Sequence, residues 1–226
     1  MVLAAKVFVV KEERNLPLVA SKLKDFKLEQ EVRIEGDSFK LLSEVTDLDI
    51  SKESLQGTFS FDSTFQVNQH GKQIPMVRTY EAPFEFDLYG KDLFLSIFDK
   101  KARANNIANE MSKALFMSLG QIVEGRIQPE TLKRFHEEGE ESKIIFFDGI
   151  DIPNIAKLSL YGEGLANTSL YNDYLQHGQI WYAVVKSKPY GYVIGLTRNC
   201  VVTCFSRTDL PDFKKYVRSQ VLPLIV

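Results

Sequence analysis

Three carboxylates and one lysine come nearest to a reactive arrangement in this chain. Glu141-Ser142-Lys143 leads into the apolar run Ile144 to Phe147, with Glu124 or Asp148 as a second acid. Metal-dependent phosphodiester cleavage needs two or three carboxylates converging on a cation, often beside a lysine that balances developing charge. Glu141, however, ends the run Glu137, Glu138, Gly139, Glu140, Glu141, which reads as a solvated surface loop. A metal-dependent nuclease therefore ranks third among the functions considered, and no metal or cofactor is expected.

Other chemistries find less. Gly71-Lys72 and Gly90-Lys91 lack the upstream glycine and following hydroxyl residue of a phosphate-binding loop, and Gly162-Glu163-Gly164 reads as a turn. No GxSxG elbow occurs. Cys200 and Cys204 share a strand-like run, where four residues span about 13 Å, too far for a disulfide. They read as reduced, buried thiols of a cytoplasmic protein. His70, His136 and His177 are too scattered to complete a metal site with them.

Charge is more informative than catalysis. Residues 135–175 carry eight acids against Lys143 and Lys157, whereas residues 176–226 carry seven bases against Asp209 and Asp212. Lys100, Lys101 and Arg103 crowd the start of a helix, where the dipole disfavours cations and free N–H groups attract anions. Lys186, Lys188, Arg198, Lys214, Lys215 and Arg218, with Tyr190 beside them, add a second basic set that suits a phosphate backbone with some base stacking.

The elements that must hold these groups are legible in places. From Thr58 to Val67, Phe59, Phe61, Phe65 and Val67 alternate with polar residues, which predicts a strand with one dry face. After a turn at Asn68 to Gly71 the pattern resumes from Ile74 to Leu88, predicting a long antiparallel hairpin. Arg78 interrupts the apolar face of its second arm and is a candidate for edge protection or partner contact. Asp92 to Asp99 is apolar on both faces and reads as a central strand, with Asp99 capping a helix in which Ala104, Ile107, Ala108, Met111 and Leu115 form one stripe.

The chain opens with a strand (Ala5 to Lys11) and a helix (Leu16 to Phe26) before the hairpin region. Beyond Gly120 a strand is expected at Ile122 to Ile127, helices at Pro129 to His136 and Asn167 to His177, and strands at Lys143 to Phe147, Ile180 to Lys186, Tyr192 to Thr197 and Cys200 to Phe205. A last helix starts near Pro211. Strands in runs with helices between them predict an α+β fold: mainly antiparallel sheets, a long hairpin and meander first, a three-strand meander second, packed by about four to five helices. The expected subdomains are residues 1–119 and 120–226, or one continuous domain. No apolar run approaches the roughly 18 to 20 residues of a membrane helix, and Met1 to Val10 reads as a strand, not a signal peptide.

In its second half a strand, a helix ended by glycine and hairpin strands follow in order, with Tyr174, Leu175 and Gly178 before Trp181. This resembles, in order of elements alone, bacterial recombination-associated DNA-binding proteins, and no residue roles are carried over. The leading expectation is a non-catalytic, cytoplasmic nucleic-acid-binding protein with sequence-independent phosphate contacts, alone or as a subunit of a nucleic-acid-processing complex. The alternative is an interaction module whose long hairpin pairs with a protein partner or forms a homodimer.

Overall fold

A computed structural model describes residues 2–12 and 14–225. Among these are the strands β1 (Leu3–Val10), β2 (Lys27–Ile34), β3 (Asp37–Ile50), β4 (Ser54–Gln69), β5 (Lys72–Tyr89), β6 (Asp92–Ile97), β7 (Ile122–Glu124), β8 (Glu141–Asp148), β9 (Leu158–Tyr161), β10 (Gln179–Lys186), β11 (Val193–Thr197) and β12 (Val201–Cys204). The α-helices are α1 (Leu16–Leu23), α2 (Lys101–Phe116), α3 (Pro129–Glu138), α4 (Ser169–His177) and α5 (Leu210–Tyr216). The fold is α+β, and the ladders joining β2 through β6, β1 to β12, β12 to β11, β11 to β10, β10 to β8 and β8 to β9 are antiparallel. The chain forms two compact units, residues 10–122 and residues 1–9 with 123–226.

In the first of these, β2 to β6 form a meander in which each strand pairs with the next. Leu55, Phe59, Phe84 and Phe86 are fully buried, and β6 is buried on both faces from Leu93 to Ile97, as its double apolar pattern requires. Helix α1 packs on α2 and β3, and α2 on β6. The Asn15 side chain caps α1 by accepting from Leu18 N at 3.1 Å. The helix stops at Leu23, short of the expected Phe26, because Asp25 turns into the left-handed region (φ 61°) and sends the Phe26 ring onto Phe59.

The β4–β5 ladder runs from Ser54–Asp87 to Gln69–Lys72. It closes through His70 and Gly71, both at positive φ, in the two-residue geometry whose backbone twist matches the flanking strands. Strand β3 accompanies β4 only to the Ser43–Phe61 pair, and β6 accompanies β5 only from Phe84. Beyond Phe61 and Tyr80 the two arms are therefore a ribbon without a third ladder partner. The expected dry face is dry only at its base: Phe59 is buried, whereas Phe65, Ile74 and Met76 are 40%, 39% and 47% exposed.

In the other unit the strand order is β1-β12-β11-β10-β8-β9, with β7 also paired to β1. Phe147 and Ile145 face the helical layer, where Phe147 meets Tyr171 and Tyr174 of α4. Lys6 is fully buried on β1, its ammonium bonded to Glu124 and lying 5.3 Å from the centre of the Phe8 ring. Cys200 does not belong to the strand expected for it. It occupies the preceding turn at φ 57°, with β12 starting at Val201. The acidic run is divided likewise, since Glu137 and Glu138 finish α3 and Glu141 opens β8. Among the described residues, no helix is long and apolar enough to cross a membrane.

Candidate nucleic-acid interface

Tyr80 is the centre of the best-defined basic surface. Cross-strand pairing sets it opposite Phe61, and the two rings stack at 5.6 Å with 27° between their planes. Arg78, two residues back on the same face of β5, places its guanidinium carbon 5.0 Å from the Tyr80 ring centre. Arg103, in the first turn of α2, places its own 4.8 Å from that centre. The two guanidinium groups thus lie within about 10 Å of each other, around one electron-rich ring.

Asp99 was expected to cap α2 and instead orients this surface. The N-cap position is Lys100, whose side chain caps nothing, while Asp99 accepts from Lys100 N at 2.6 Å and grips Arg103 through Nε and Nη2. That bond, more than the opposing desolvation, raises the Arg103 pKa further above its ordinary value. Among the described residues the side chains of Arg78, Lys100 and Lys101 make no ion pair, and all three are exposed. The polar partners Asp62 and Thr79 bond each other on the opposite face of the ribbon. On the Tyr80 ring, then, Arg78 is an exposed cation without an ion pair among the described residues, and Arg103 is a second one held by Asp99.

The second basic set fares differently. Lys186 pairs with Glu140 and Glu141, Arg198 with Asp148, and Lys215 with Asp212. Two bases of the basic segment, Lys186 and Arg198, thus meet three acids of the acidic segment, helped by β8 and β10 lying side by side with Lys186 opposite Glu141. Lys214 and Arg218 are half-buried and not free of partners. Tyr190 packs 5.5 Å from Tyr192 and 5.3 Å from Tyr216, and its hydroxyl bonds Ser219. Lys188 has no ion pair among the described residues. It lines a 460 Å³ cleft with Arg134, a cation that sequence reasoning missed for want of any basic neighbour except Lys133.

The acids considered for metal chemistry are held by separate cations. Glu124 meets Lys6, Glu141 meets Lys143 and Lys186, and Asp148 meets Arg198. The lysines lower the Glu141 pKa, chiefly through the Lys143 hydrogen bond. Also unsignalled in sequence is a cluster of four rings drawn from β8, β9 and β10. The chain matches no known protein-family model and no curated protein sequence.

Proposed function

We propose that this protein binds nucleic acid through sequence-independent phosphate contacts at the Tyr80 surface, alone or within a nucleic-acid-processing complex. Arg78 carries the reading: it lies on the Tyr80 ring, exposed and without an ion pair among the described residues, and so is open to a phosphate, while Asp99 fixes Arg103 on the same ring. Lys100 and Lys101 extend the positive surface at the start of a sixteen-residue helix, whose N-terminal dipole adds to the attraction for phosphate. The reading carries a cytoplasmic location, which suits two unpaired, buried thiols.

Labelled-oligonucleotide anisotropy across a salt series tests it. Affinity should fall steeply with salt. Replacing Lys100 and Lys101 together by glutamine should flatten the log–log slope by about 1.4 for a single strand if each lysine meets one phosphate. Unchanged affinity and slope in that variant, with the fold intact by circular dichroism, would count against the reading.

A second reading, an assembly module that forms a homodimer through the hairpin, is favoured by the exposed Phe65, Ile74 and Met76 on the unaccompanied ribbon.

A further inference from the structure

Phe146 on β8 alternates with Phe147, so the face opposite the helices carries its own aromatic surface. Its ring centre lies 5.8 Å from that of Tyr161, 5.5 Å from Trp181 and 5.3 Å from Tyr182. Ordinary strand alternation would send Trp181 and Tyr182 to opposite faces. A register shift in the β10–β8 ladder between Ile180 and Tyr182 brings both rings against Phe146. Tyr182 lies flat across Gly195 of β11, where an added Cβ would stand 2.5 Å from the phenol oxygen. Tyr161 is 66% exposed. The Lys157 ammonium sits 4.8 Å from the centre of the Trp181 ring and makes no ion pair among the described residues. The Trp181 Nε1–H is buried, with no hydrogen-bond partner among the described residues.

We propose that this face stacks unpaired nucleobases, so that the protein takes single strands in preference to duplex. The inference rests on the nucleic-acid reading and goes beyond it. Aromatic side chains on an open sheet reach only bases whose faces are free, and stacking accepts any base because every base has a π-face. In a duplex those faces are occupied. The polar group that faces outward at the Trp181 ring, the Lys157 ammonium, is a donor only, which suits base carbonyls and phosphate oxygens. Nearby Arg198 is neutralised by Asp148, so the rings supply most of the attraction here and Lys157 adds the single unpaired charge.

Trp181 is the only tryptophan in the chain, so its fluorescence reports on this face directly. Titration of the full chain with an oligothymidylate should quench that fluorescence in step with anisotropy, whereas the same length of duplex, or heparin as a polyanion without bases, should not. Tyr161→Ala should weaken single-strand binding about tenfold, by the same factor at low and high salt, and Tyr161→Phe should restore it. A salt-independent loss is the mark of stacking, because loss of a phosphate contact changes the salt slope. Oligonucleotide binding that leaves Trp181 unquenched and survives Tyr161→Ala would overturn this inference and leave the phosphate reading standing. Equal affinity for duplex, or quenching by a neutral glycan in place of the oligonucleotide, would overturn it too. Failure to bind any nucleic acid defeats the underlying reading and this one with it.

Discussion

His136 is a histidine without charge at neutral pH. It is 1% exposed, its ring lies 5.1 Å from that of Tyr171, and both its nitrogens lack hydrogen-bond partners among the described residues. Burial alone pushes its pKa down to about 4, from an ordinary 6.5. A depressed value means that the unfolded chain binds the proton first. The contribution to stability is whole above about pH 6.5 and drains away as pH falls towards 4. Comparing urea unfolding at neutral pH and near pH 4.5, the wild type should lose on the order of 2 kcal/mol more than His136→Phe; equal losses would show that the imidazole does not titrate on unfolding. At this scale sequence was informative about Arg78, because period-two alternation set it on the apolar face. It was silent about Arg103 reaching the same ring, since that meeting depends on how α2 lies across the ribbon.

Helix α2 ends in a conformation ill suited to its residue. Met117 takes φ 55° with its side chain 95% exposed, so it pays left-handed strain with no packing in return. Met117→Gly should raise stability by about 0.5 to 1 kcal/mol, less than the full relief because glycine also frees the unfolded chain. A denaturation midpoint that falls would contradict this. The hairpin invites a complementary test. Replacing the segment from Phe65 to Met76 by a two-residue Asn-Gly turn removes mostly half-exposed side chains and no third-strand ladder. Melting temperature should move little, and a homodimer dependent on the ribbon should fall to monomer mass in light scattering. Unaltered mass would remove the assembly reading. Long elements such as these were legible because alternation repeated over many residues. Strand β9 was not, since only Leu160 of its four residues is buried, and the register shift that recruits Trp181 leaves no trace in local composition.

At the scale of the whole molecule, the contrast between the acidic and basic segments is partly neutralised internally, by Lys186 and Arg198 against Glu140, Glu141 and Asp148, each such exposed pair contributing about 0 to 1 kcal/mol. The net charge of -2 therefore says little about ligands, and the productive cations are those that have no acid beside them. Strand β1 has a different importance. Leu3 pairs with Cys204 and Lys6 with Val201, so β1 finds its β12 partner only after β2 to β11 have been made. The meander of residues 10–122, built from neighbours in sequence, has no such wait. Loop-closure entropy must be met before so distant a pairing is rewarded. Pulsed hydrogen exchange during refolding should accordingly protect amides of β3 and β4 ahead of those in β1 and β12, and simultaneous protection would refute that order. During synthesis, a nascent chain halted between residues 122 and 200 would expose β1 as an unmatched strand edge, which makes this interval the one in which a chaperone has most to guard.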